Sequence, residues 1–432
     1  MKKLLAVLLS LAMIFALAAC GNDTPASTKA SEEATTKAPE TTQAPASTEA
    51  PATTDAPAAD LSTIKLGFIF LHDPASSTYD NNFYQAALQT QKALGLSDSQ
   101  VIFKWNVEEG APCYETACDM ADAGCNIVFA DSFGHETYMI QAAREYPNVQ
   151  FCHATGTKSR TEGVANFHNA FASIYEGRFL AGIAAGMKIN EMIAAGKFTA
   201  DKAKIGYIAA YPYAEVISGY TSFFLGARHV CPTATMEVTY TNSWFDIAKE
   251  KTGAETLINN GCIFISQHAD SEGAPKACEE KGIPNVAYNV STINLGPNTA
   301  LISSKINWAP YYEMIIKAVA KGESFATDWC GTVDTGSVEL TELNEKIAAK
   351  GTKEALQQAM ADLKSGKLHV FDTKAFTVGG KHLTEYLADV IDKGDFQPET
   401  NVIVNGVFVE SGEQFRSAPY FDMLIDGVKK YE

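Results

Sequence analysis

At 432 residues the chain is longer than one ordinary hydrophobic core organises, so two domains are expected. Its 34 Lys and Arg stand against 51 Asp and Glu, a formal charge of -17. Such a surface repels nucleic acid and anionic headgroups and excludes both as partners held by charge.

Met1-Lys-Lys3 is a basic start, and the apolar run over 4–17 is shorter than the roughly 20 residues a spanning helix needs, so a secretory signal is expected over 1–19. Leu17-Ala-Ala-Cys20-Gly21 resembles the lipobox of bacterial lipoproteins, which implies cleavage before Cys20 and lipidation of that residue. From 21 to 60 the chain holds no aromatic residue and no Leu, Ile or Val. Such a stretch cannot bury a core, so residues 20–60 are expected to be a lipidated cysteine and a disordered tether, spanning about 35 Å as a flexible coil.

Eight further cysteines (Cys113, Cys118, Cys125, Cys152, Cys231, Cys262, Cys278 and Cys330) show neither Cys-x-x-Cys spacing nor a zinc pattern with histidine, so no metal is expected. Several lie in apolar runs such as Cys262-Ile-Phe-Ile, where a reduced thiol packs as a small hydrophobe. The sequence selects no disulfide pairing.

The folded part begins with a buried strand over 64–70, a polar loop over 72–82 and a helix over 83–94. Strands over 101–105, 126–130 and 149–153 alternate with helices over 114–123 and up to 146. A long helix over 175–189 follows, and the alternation restarts at 204–209, passing through strands near 238, over 263–267 and over 285–288. Strand 300–304 and a helix over 308–320 come next, and the tail beyond 332 mixes helix with strands such as 368–371 and 401–404. This is an α/β pattern written twice: two Rossmann-like, doubly wound lobes with right-handed crossovers.

In an open parallel sheet the ligand crevice lies beyond the carboxyl ends of the strands. Two such ends are loaded here, Asn242-Ser-Trp-Phe-Asp246 and Gln267-His-Ala-Asp-Ser271. Trp244 and Phe245 either face a ligand or cap the core, Asp246 is either a ligand contact or the N-cap of the next helix, and His268 reads as hydrogen-bonded scaffold. No Walker loop, Gly-x-Gly-x-x-Gly, His-Glu-x-x-His or Gly-x-Ser-x-Gly is present, so the chain reads as a binding protein without cofactor rather than an enzyme. The rival from another class is an extracellular hydrolase, with Asp246 and Asp270 as paired carboxylates.

Several stretches in order resemble the basic membrane protein family of ABC-transporter substrate-binding lipoproteins: Leu66-Gly-Phe-Ile-Phe70, Ala142-Ala-Arg-Glu-Tyr-Pro-Asn-Val-Gln-Phe151, Glu176-Gly-Arg-Phe-Leu-Ala-Gly-Ile-Ala-Ala185, the two loaded ends, Tyr288-Asn289, and Trp308 with Tyr311-Tyr312. The resemblance implies a type I periplasmic-binding-protein fold with hinge crossings near 160–170, 300–305 and 322–332, lobe 1 comprising 61–165 plus 303–328 and lobe 2 comprising 166–302 plus 329–432. It also implies a purine base or nucleoside as ligand, the transmembrane subunits of an ABC permease as partners, and a lipid-anchored place on the extracytoplasmic face of the cell membrane. The chain departs from the family in Ser77-Thr-Tyr-Asp80 of the first loop and in Ala269; a sugar or other small solute is the alternative ligand, and a membrane sensor the alternative partner.

A purine has flat apolar faces and a polar rim, so on this resemblance Tyr79, Phe133, Trp244 and Trp308 are the stacking candidates and Asp270 and Asn289 the edge candidates, with Asp246 beside them. A nucleoside would add ribose hydroxyls, for which Asp80, Asn82 or Lys305 are available.

Overall fold

The computed structural model describes residues 60–391, 393, 397–412 and 415–431. The expected signal, Cys20 and the expected tether up to residue 59 lie outside them.

In the first lobe β1 (Leu66–Ile69), α1 (Thr78–Leu94), β2 (Val101–Lys104), α2 (Ala111–Asp122), β3 (Ile127–Ala130), α3 (Glu136–Glu145), β4 (Gln150–Ala154) and β5 (Phe167–Ala172) alternate along the chain. The second lobe starts with α4 (Ile174–Ala194) and continues through β6 (Lys204–Ala209), α5 (Ala214–Val230), β7 (Thr235–Tyr240), α6 (Ile247–Asn259), β8 (Phe264–Gln267), α7 (Gly273–Lys281), β9 (Asn285–Tyr288) and β10 (Ala300–Ile306). Then α8 (Ala309–Lys321) and β11 (Asp328–Gly331) return to the first lobe, and β12 (Val338–Leu340) and α9 (Thr352–Lys364) to the second.

The first sheet has the order β11-β5-β4-β3-β1-β2, and every pairing in it is parallel. Strands covered by helices on both faces read as continuous apolar runs, which is why Leu66-Gly-Phe-Ile69 and Ile127-Val-Phe-Ala130 are buried at every position. The chain passes between lobes at Ser173, at 307–308 and at 332–337. All three passages fall a few residues beyond the intervals 160–170, 300–305 and 322–332, because β5 and β11 pair inside the first sheet and β10 inside the second.

The second sheet has the order β12-β10-β9-β8-β6-β7 and ends in β17 (Val428–Lys430), which pairs parallel with β7. Between α9 and that last strand the tail forms two short ladders, β13 (Leu387–Ala388) with β14 (Thr400–Asn401) and β15 (Ile403–Val404) with β16 (Val407–Phe408). Residues 368–371, expected as a strand, form none: 368–369 are irregular and 370–371 are turn. Here Phe371, Phe408 and Phe421 interlock, with the Phe371 and Phe421 rings stacked 4.7 Å apart, so the apolar side chains of 368–371 serve a side-chain cluster and not a ladder.

Helices α4 and α5 are buried around most of their circumference and cross at glycine. A Cβ on Gly182 would strike the carbonyl oxygen of Phe223, and one on Gly226 that of Phe179. Among the described residues no helix is long and apolar enough to cross a membrane.

Candidate functional site

A cavity of about 720 Å³ lies where the carboxyl ends of both sheets converge. Its wall is built from the segments that follow β1, β3 and β4 on one side (Leu71, His72, Tyr79, Asp80, Phe133, Thr155, Lys158) and β6, β7 and β8 on the other (Tyr213, Glu215, Trp244, His268, Asp270). Tail residues Tyr386, Asp389, Tyr420 and Asp422 complete it.

The lobes touch across this space. The Thr78 amide and hydroxyl both donate to the Asp270 carbonyl, at 2.8 and 3.0 Å. The Phe133 and Tyr213 rings, one from each lobe, lie 5.8 Å apart. Both are unusually exposed for large aromatics, 44% and 48%, and apolar surface of this kind at a cleft marks a contact surface. Trp244 meets Tyr211 edge-on at 5.0 Å and lies tilted against Tyr213 at 5.9 Å. Tyr79 donates its hydroxyl to the Asp131 carbonyl at 2.9 Å and sets its ring against Phe83. Thr155, a β-branched residue at φ +65°, sits in the left-handed region that favours glycine, a strain of roughly 1–3 kcal/mol held at the cavity wall.

Behind the aromatics runs a buried polar chain. Arg178 Nη2 lies 3.1 Å from His268 Nδ1 and Arg178 Nη1 donates to the Gln267 carbonyl at 2.9 Å. A guanidinium has no acceptor, so Nδ1 accepts and Nε2 carries the proton it donates to Glu215, 2.8 Å away. Burial keeps the His268 pKa below its ordinary value despite the neighbouring Glu215. The Arg178 guanidinium also lies 3.3 Å over the Tyr288 ring, a contact worth about 2 kcal/mol when desolvated.

Asp270 is 5% exposed, and its carboxylate accepts from Asn289 Nδ2 at 3.3 Å. Burial drives its pKa well above the usual carboxylate range, and Glu250, Asp80 and Glu215 add repulsion. Asp131, fully buried behind the first-lobe wall, is pushed up in the same way by burial and by Asp80. Asp80 accepts from the His72 amide at 2.8 Å and from the Ser77 hydroxyl at 2.5 Å.

Glu250 holds two strand ends at once. Its carboxylate accepts from the Asp246 amide at 3.1 Å and the Ser271 amide at 3.0 Å, pinning the loops after β7 and β8. Burial raises its pKa from 4.5 to about 7 against those bonds, so folding favours the protonated form. Its contribution to stability is full below pH 4.5 and is lost as pH rises towards about 7. Glu250→Gln cannot ionise, and it is expected to flatten the pH dependence of the melting temperature across that interval. Melting curves at pH values spanning the interval, with a slope equal to that of the wild type, would detach Glu250 from the dependence.

Of the residues expected at the site, Tyr79, Phe133, Trp244 and Asp270 line the cavity. The structure moves four others off the wall. Trp308 is fully buried and stacks on Phe83 at 4.4 Å in the first-lobe core, because α8 turns its first residues inward. Asn82 donates to the Ile306 carbonyl at 2.7 Å and braces the second crossing. Asp246 caps α6, accepting from the Lys249 amide at 2.9 Å and pairing with the Lys249 ammonium, which is the helix-cap alternative its position left open. Asn289, at φ 70°, stands behind Asp270 as its donor. Sequence reasoning missed Arg178, Glu215, Tyr213 and Glu250. Glu176-Gly-Arg178 offered the one signal, an arginine inside an otherwise apolar helix, since a buried cation demands partners. The eight described cysteines are all unpaired thiols and, Cys118 apart, buried.

The family model described as Bmp, ABC transporter substrate-binding protein PnrA-like, matches residues 75–364. The chain is 32% identical over 309 residues to a purine-binding protein of Brucella abortus (strain 2308), the match covering 71% of this chain and 83% of that one. It is 29% identical over 311 residues to a protein of Haloferax volcanii named for glucose binding in an ABC transporter, covering 72% of each. The solved structure of an ABC transporter solute-binding protein from Aeropyrum pernix K1 shares the fold, with a TM-score of 0.59 at 16% identity, 74% of this chain and 94% of that one being covered. With a two-lobe α/β fold, a cleft at the strand ends and this family match, the chain belongs to the Bmp family of PnrA-like ABC transporter substrate-binding proteins.

Proposed function

We propose that this receptor binds a purine base or nucleoside between its lobes, anchored through a lipidated Cys20 to the outer face of the cell membrane, and hands the ligand to the transmembrane subunits of an ABC permease. The observation that carries the ligand reading is Asp270, a buried carboxyl set among aromatic faces contributed by both lobes. A heterocycle with ring and exocyclic N–H groups supplies donors beyond the one long bond from Asn289, and its two faces fit Phe133, Tyr213 and Trp244. The similarity to a protein named for purine binding supports the same class.

The wall carries Asp80, Glu136, Glu215, Asp389 and Asp422 against Lys158 and Arg416. That balance repels a phosphate, so free bases and nucleosides fit and nucleotides do not. A sugar is the second reading, favoured by the similarity to a protein named for glucose binding. Lobe closure on the ligand would be the signal the permease reads.

Trp244→Ala is expected to weaken purine binding at least about tenfold, about 1.4 kcal/mol, while the protein keeps its fold. Titration calorimetry against purines, nucleosides and sugars makes the test; affinity for a purine that survives the substitution intact removes Trp244 from the site, and a sugar as the sole ligand replaces the purine reading.

A further inference from the structure

The C-terminal segment lies beyond the residues matched by the family model, yet it forms one wall of the cavity. The sheet order says where. In the first sheet Phe133 follows β3, and Tyr79, at the start of α1 after β1, bonds to the Asp131 carbonyl beside it, whereas Thr155 and Lys158 follow β4, further towards β5 and β11. With strands about 4.8 Å apart, the wall from β1 to β4 spans about 10 Å, and to β5 about 14 Å. Ser417 of the tail bonds to that far side: its amide and hydroxyl donate to Asp328 of β11, at 3.0 and 2.5 Å, and its oxygen accepts from Asn169 of β5 at 2.9 Å. The cavity therefore has an aromatic end at the tips of β1 and β3 and a second end closed by the tail. A bare base fills only the first, while about 720 Å³ is in the range of cavities that enclose much larger ligands, ~300–1,000 Å³.

We propose that residues 386–389 and 416–422 of the C-terminal segment form a second ligand subsite, which takes a neutral, hydroxyl-bearing substituent joined to the heterocycle. This rests on the purine reading above and adds a specificity element from outside the family-matching part of the chain. The chemistry of the wall favours hydroxyls. Tyr386 donates its hydroxyl to Asp422, and both line the space together with Asp389 and Lys158; carboxylates accept from hydroxyls, and a lysine donates to them. Arg416 is used to stiffen the wall, its guanidinium donating to the carbonyls of Asp389, Ala418 and Pro419 at 2.6, 3.0 and 3.1 Å. The segment is rooted at both ends of its course, in the second lobe by β17 on β7 and towards the first by Ser417. Its surface is thus set before a ligand arrives, which limits the ordering cost of binding.

Calorimetry on the full chain would compare guanine with guanosine and hypoxanthine with inosine, for the wild type, Tyr386→Phe and Asp422→Asn. Tyr386→Phe keeps the ring and its packing on Phe408, and Asp422 is exposed, so both variants should melt like the wild type. The expected result is nucleoside affinity lowered at least about tenfold in either variant with base affinity within about twofold; Trp244→Ala weakens both ligands. Variants that leave nucleoside affinity unchanged, or that weaken base and nucleoside equally, overturn the subsite while leaving the purine reading in place. A wild type that binds neither bases nor nucleosides overturns both.

Discussion

Replacing Asp270 with alanine should lower purine affinity by about 10- to 100-fold, without lowering the melting temperature of the ligand-free protein at neutral pH. The affinity loss follows from removing a hydrogen bond to a carboxylate, worth about 1.5–3 kcal/mol when desolvated. The stability result follows from the same burial. In the free protein this carboxyl has one long bond, from Asn289, and stands near Glu250, Asp80 and Glu215, which with burial raise its pKa. A raised carboxyl pKa means stability that is full below the ordinary value of 3.8 and lost as pH rises, so at neutral pH the residue costs the fold something that only a bound donor recovers. Calorimetric titration and thermal melts together make the test. Undiminished affinity takes Asp270 out of the site, and a lower melting point with lost affinity turns it into a structural residue.

Gly226→Val should be the most damaging single substitution away from the cleft, at about 3 kcal/mol or more and a fall in melting temperature of about 10 °C. Helices α4 and α5 approach so closely that a Cβ at Gly226 meets the Phe179 carbonyl, and one at Gly182 meets that of Phe223. The obstacle in each case is backbone, which has no rotamer to yield. The two helices would have to separate, opening the core around Phe179, Leu180, Phe223 and Phe224, with a cost in lost packing like that of a cavity. A melting temperature equal to that of the wild type would show that α4 and α5 part without consequence.

Much of this architecture is legible in the residues, and the part that is not has physical causes. Runs such as Leu66-Gly-Phe-Ile69, buried on both faces, could only be strands of a covered sheet, and the periodic helices between them forced parallel pairing. The ends after β7 and β8 announced Trp244 and Asp270 as a polar and aromatic pair at a crevice. Trp308 shows where such reasoning stops: a tryptophan after a strand and before a helix suits a ligand or a core equally, and only the return of α8 to the first lobe decides it. Arg178 and Glu215 were hidden because they meet through His268 across a long stretch of sequence. The tail was the least readable part. Its contacts at Ser417 and Phe421 are made by side chains set on turns, which carry no period to detect.

The pairing of Val428–Lys430 with Met236–Val238 also has a bearing on how the molecule is assembled. The second sheet can be finished only once Val428–Lys430 has been made, so it is completed after the first sheet, all of whose strands have been made by Gly331. Until then the outer rim of β7 is an unpaired template open to a neighbouring molecule. Deletion of Val428–Lys430 thus acts directly on the order of folding and on self-association.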